Sequence, residues 1–73
     1  MDKGRIRAAQ YRLRCLLDSQ YALSMELQDR YAGATEAAMT AYRALNAAFD
    51  VAILRETELI IELERRNHEN TSV

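Results

Sequence analysis

Arg5, Arg7, Tyr11, Arg12 and Arg14 form the most distinctive chemical cluster in the sequence. On a helix, Arg7, Tyr11 and Arg14 stand at i, i+4 and i+7 and share one face. Guanidinium groups beside a phenol are typical of protein-binding hot spots, and arginine also contacts phosphate. Partner binding is therefore the role expected of these five residues. One alternative is a solvated face paired to acidic groups elsewhere in the chain. Another is a nucleic-acid contact, against which the formal net charge of −1 weighs, because phosphate affinity needs cationic charge.

Gln20, Arg30 and Glu56 fall at positions where the apolar repeat described below calls for core residues, and polar groups there are costly unless paired. They can specify register, as a buried polar residue does in coiled coils, or mark places where a seam reaches solvent. They could also line a polar pocket. Such a pocket is similar to the site of the all-helical chorismate mutases, which would imply a small mutase-like enzyme. This chain is shorter than those proteins and lacks their array of interior cations.

Cys15 is the one cysteine and His68 the one histidine, so neither an internal disulfide nor a zinc site of usual composition is expected. Cys15 lies two residues past Leu13, on the polar side of its helix, with no histidine in helical relation to activate it. No phosphate-cradling glycine loop, carboxylate–histidine metal pattern or Ser/His/Asp order occurs, so no catalytic residue, cofactor or enzyme activity is expected. The acidic run from Glu56 through Glu58, Glu62 and Glu64 reads as helical surface rather than a calcium loop.

The elements that must carry these residues are helices. Proline is absent, glycine occurs twice and alanine is abundant, which removes most helix breakers. A hydrophobic fraction of 49% with mixed charge at 29% is that of a folded chain. Spacings of three and four join Ile6, Ala9, Leu13, Leu16, Gln20, Leu23, Leu27 and Arg30 into one seam, widened by Leu17, Tyr21 and Met25. A second seam runs through Ala38, Tyr42, Leu45, Phe49, Ala52, Glu56, Leu59 and Leu63, widened by Ala41, Ala48, Ile53 and Ile60. Its phase is one residue late, a slip of about 100° at Gly33.

Between the seams, Gly33 suits a left-handed helix stop, Thr35 a cap for the next helix and Glu36 its first turn. The reading is a single domain over residues 1–73, with helix one at about 4–32, a turn at about 33–35, helix two at about 36–66 and a polar tail at 67–73. A continuous helix with a stutter would also account for the slip, since one interior glycine costs only about 1 kcal/mol. Tyr31-Ala32-Gly33 resembles the Trp-x-Gly turn of small secreted helical hairpins of the ESX type. Tyrosine replaces the tryptophan and no C-terminal Tyr-x-x-x-Asp/Glu signal follows, so a glycine stop after an aromatic residue explains it better.

Lys3, Arg5, Arg7, Arg12 and Arg14 load the N-terminal end, while Glu56, Glu58, Glu62, Glu64 and Glu69 crowd the other end. Both blocks oppose their own helix dipoles, and folding back at Gly33 sets one beside the other. The stripes are wider than one helix contact can cover, and so short a chain needs a staple or a partner. The expected architecture is all-α: an antiparallel two-helix hairpin that homodimerises into a four-helix bundle. Its core would contain Leu13, Leu16, Leu23, Leu27, Tyr42, Leu45, Phe49, Leu59 and Leu63. In shape this resembles the plasmid-encoded Rop proteins, homodimers of helical hairpins; the likeness covers architecture and no motif, so no function transfers with it.

The expected function is that of a small non-enzymatic homodimeric regulator that binds and modulates or inhibits another protein. Nine arginines to one lysine, with abundant alanine, point to a GC-rich bacterial or phage source, and hence to a phage or mobile-element inhibitor of a host factor. The alternatives are a Rop-like nucleic-acid binder and the mutase-like enzyme. No signal peptide or membrane-length apolar run is read, and the lone thiol suits a reducing compartment, so the expected location is cytoplasmic.

Overall fold

The computed structural model describes residues 2–30 and 33–71, with side chains through Glu69. Two helices, α1 over Asp2–Arg30 and α2 over Glu36–Thr71, pack against each other in antiparallel fashion. The chain therefore folds back in the region of Gly33 instead of continuing as one rod.

Thr35 makes the second helix start where it does. Its hydroxyl oxygen accepts a hydrogen bond from the Ala38 amide at 3.1 Å, and its carbonyl accepts the first helical bond, from the Met39 amide at 3.0 Å. One otherwise unpaired amide of the first turn is thereby satisfied, and Glu36 places negative charge at the positive end of the dipole. Gly33 acts differently from expectation. No glycine among the described residues has positive φ, so Gly33 is not a left-handed stop, and the reversal needs no conformation special to glycine there. Tyr31 and Ala32, the rest of the turn motif and the expected end of helix one, lie outside the described residues.

The polar tail expected from residue 67 is helical as far as Thr71. Arg65 accounts for the extension: it donates to Glu62 three residues back and to Glu69 four residues on, bracing the last turns. His68 therefore belongs to the final turn of α2, where a basic group suits the negative end of the dipole.

Arg12 sits opposite Glu56, and Gln20 opposite Asn46 and Asp50, a register centred on residue 34. The hairpin measures 59 × 15 × 12 Å with a radius of gyration of 16.9 Å. A compact domain of this length would have a radius of about 11 Å. Only one layer of side chains separates the two helices, and burial is correspondingly poor.

Ala9 and Leu63 alone are fully buried among the described residues. Leu13, Leu16, Leu23, Leu27, Tyr42, Phe49 and Leu59 are half-buried, and Leu45 is 51% exposed. Apart from Leu45, the side chains expected in a dimer core thus lie along the seam of a single chain. Among the described residues, Tyr11, Leu17, Tyr21, Met25, Leu45, Val51, Leu54 and Ile61 are the large apolar side chains left in solvent. No described helix is long and apolar enough to cross a membrane.

Candidate functional site

All five residues of the Arg/Tyr cluster are exposed on α1, but they do not form one surface. A step of about 100° per residue turns Arg7 and Arg14 away from α2, nearly opposite Leu16 and Gln20, whereas Tyr11 reaches the hollow between the helices described below. Tyr11 is 71% exposed. Arg5, Arg7 and Arg14 make no ion pair with any described residue. Arg12 is separate: its Nε donates to Glu56 Oε1 at 2.8 Å across the helix pair. That hydrogen bond, opposed by partial burial and aided by the charge of Glu56, raises the Arg12 pKa above its ordinary value. The patch open to a partner is therefore Arg7 and Arg14 with Tyr11 at its edge, whereas Arg5, about 200° around the helix from Arg7, lies on another side of α1.

The two charge blocks meet only at Arg12 and Glu56 among the described residues. The register explains why the rest do not pair across the helices. It sets Glu62 and Glu64 opposite Ile6 and Gly4, and it carries Glu69 past the start of α1. Arg65 neutralises Glu62 and Glu69 from within α2 instead. The hydrogen bond from Arg65, its charge and that of Arg66 outweigh desolvation and hold the Glu62 carboxyl below the usual carboxylate range.

Gln20, Arg30 and Glu56 do not converge. Gln20 Nε2 donates to Asn46 Oδ1 at 3.1 Å and Asp50 Oδ1 at 2.7 Å, whereas Arg30 pairs with Glu26 of its own helix at 2.6 Å. From Arg12 to Gln20 is about 12 Å along the axis and from Gln20 to Arg30 about 15 Å more, so no shared polar pocket forms. Glu56 keeps only 20% of its side-chain exposure, and its Oε2 is buried without a hydrogen-bond partner.

A groove between the helices was not legible in the seams. Tyr11, Cys15, Leu16, Ser19, Ala52 and Glu56 line a hollow of about 420 Å³. Leu16 and Ala52 join it to a second hollow of about 220 Å³ walled by Leu45, Ala48 and Phe49. Cys15, expected on a polar face, is exposed on the wall of this groove. The available signal was Tyr11, Cys15 and Ser19 at i, i+4 and i+8, a stripe of its own. A third hollow, about 480 Å³, lies by the turn between Asp29, Arg30, Thr35 and Tyr42. Among the described residues no three histidine, cysteine, aspartate or glutamate side chains gather as a metal ion would require.

No family model matches the chain, and no curated protein or solved structure matches it. The functional reading rests on the geometry alone.

Proposed function

We propose that this protein is a non-enzymatic, self-associating helical hairpin that forms a homodimeric four-helix bundle and modulates another protein by occupying its surface. The observation that carries the reading is exposed apolar surface. The hairpin exposes 5834 Å², whereas a compact monomer of its mass would expose about 4600 Å². The elongated shape accounts for that surplus, and eight large apolar side chains of the described residues stand 41–71% exposed on it, surface that a second copy would cover.

Arg7, Tyr11 and Arg14 supply the contact to the other protein. Arg7 and Arg14 project from the outer side of α1, unpaired with any described acid, and Tyr11, 71% exposed at the mouth of the hollow, adds an aromatic anchor to their forked cationic donors. Light scattering coupled to gel filtration should give twice the chain mass of 8.4 kDa. Affinity capture should retrieve one dominant protein that Tyr11→Ala combined with Arg14→Ala no longer retains. A monomeric mass at every concentration would defeat the dimer, and undiminished capture by the double variant would defeat the patch. Retrieval of nucleic acid, with affinity falling steeply as salt rises, would move the same arginines to phosphate binding.

A further inference from the structure

We infer that the second copy of this chain docks antiparallel on the outer face of α2, the side turned away from α1. The inference rests on the dimer proposed above and fixes the order of its four helices: a flat bundle with the two α2 helices inside and the two α1 helices outside.

The residues that face α1 do not exhaust the apolar surface of α2. Ala44, Ala47, Val51, Leu54, Glu58 and Ile61 recur at three and four residues, and a step of about 100° per residue places them opposite the seam through Leu45, Phe49, Ala52 and Glu56. All six are exposed, and Val51, Leu54 and Ile61 are each at least half exposed. The outward face of α1 carries Arg7, Arg14 and Asp18 instead.

Side-chain size fits this outer seam to a reversed copy of itself. A twofold axis perpendicular to α2, level with Ala52 and Ile53, sets Val51 beside the partner's Leu54, Ala47 beside the partner's Glu58 and Ala44 beside the partner's Ile61. Each alanine therefore meets a longer side chain, which keeps the helix axes at the roughly 8–10 Å typical of packed helices.

Charge selects the same partner and the same direction. Arg43 stands at the start of the outer seam, whereas Glu58 and Glu64 belong to its far half, and none of the three forms an ion pair with a described residue. The reversed copy places Arg43 between the partner's Glu58 and the partner's Glu64, about 6 Å from one and about 3 Å from the other along the axis. The twofold repeats that contact at the other end. A parallel copy would instead set Arg43 beside Arg43 and Glu58 beside Glu58, which like charges oppose. Asp50 and Arg55 lie about 70° to either side of the seam, at its wet edges. Arg65, at the far end of the seam, already holds Glu62 and Glu69. Arg7 and Arg14 of both copies stay uncovered, so the contact proposed for another protein remains open.

Cys15 is a native probe of this order. Its exposed thiol takes a spin label without any substitution, and the register sets it opposite Ile53, level with the twofold axis. Labels on the wild-type dimer should report α1 axes three helix spacings apart, about 24–30 Å. Leu54→Glu should raise the dimer dissociation constant by at least about a hundredfold in sedimentation, because two carboxylates then enter beside the axis. Leu54 points away from α1, so helical content should be unchanged. Arg43→Glu should weaken the dimer about tenfold, and adding Glu64→Arg should recover most of that loss. A square bundle with its dyad along the helices would bring the α1 axes within about 14 Å. A label distance that short, or a Leu54→Glu chain that dimerises as tightly as wild type, would overturn the outer face and leave self-association standing. A wild-type chain that stays monomeric throughout would overturn both. Should Leu54→Glu fail to fold, the label distance in the wild-type dimer still decides the matter.

Discussion

The turn end and the open end of the hairpin are held together by different physics. At the turn Thr35 caps α2, while Leu27, Ala38 and Tyr42 are only half-buried. Ala9 and Leu63, the two fully buried side chains among the described residues, lie toward the open end, as does the Arg12–Glu56 ion pair. Helix α1 has 29 residues, so its far end stands about 43 Å from the turn along the axis. A short connection enforces proximity near itself at little cost, and that enforcement fades with distance along the chain. The best packing is found where the connection helps least.

Leu63→Ala should break that balance most strongly. Truncating a fully buried leucine costs about 2–5 kcal/mol through lost transfer energy and the cavity left behind. Chemical denaturation at fixed protein concentration measures the loss, and amide exchange should show residues near Ala9 opening before those near Leu27. A loss well under 1 kcal/mol would show that the open end does not depend on Leu63. Thr35→Ala is the counterpart at the turn and should cost about 1 kcal/mol, the usual value of an N-cap hydroxyl. If it proved the costlier of the two, the contrast between the ends would be reversed.

Sequence patterning located the parts governed by local chemistry. The Thr35 cap, the start of α2 at Glu36 and the pairing of two helices follow from residue types at short spacing. The end of α2 was harder to place, because Asn67, His68 and Asn70 look like tail residues. What keeps that segment helical is Arg65 reaching both Glu62 and Glu69, a geometry that composition alone does not favour over solvated charges. The polar seam residues were found individually, but their partners depend on register across the helices. Asn46 and Asp50 sit at i and i+4 and face Gln20 only once the turn is centred on residue 34. The groove was least legible, because a hollow comes from small side chains on two helices at once.

Gly33→Ala sharpens the comparison at the turn by its sign. A left-handed glycine would make the substitution destabilising, but no positive φ occurs there and an added Cβ would meet nothing within 4 Å among the described residues. Alanine should therefore stabilise the hairpin by about 0.4–1 kcal/mol, by reducing the freedom of the unfolded chain. Thermal melts that shift upward would agree with this geometry. A downward shift would restore glycine as a conformational requirement.

The smallest effect belongs to the far end of α2 and depends on pH. Arg65 holds Glu62 below the usual carboxylate value, chiefly by hydrogen bonding, so this carboxylate favours the folded state above its unfolded pKa of about 4.3. That contribution disappears as pH falls through the lowered folded-state value. The Arg65 pKa moves in the opposite direction, upward, so arginine itself stays charged over the whole window. All three side chains are more than half exposed, hence the effect should be small and weakened by salt. Acidification from about pH 6 to about pH 3 should loosen residues 65–71 before it loosens the first turn of α2, whose Thr35 hydroxyl cap does not titrate. Residue-resolved carbon chemical shifts can follow both segments in one titration. Simultaneous loss at the two ends would mean that the acidic terminus is held by the seam and not by Arg65.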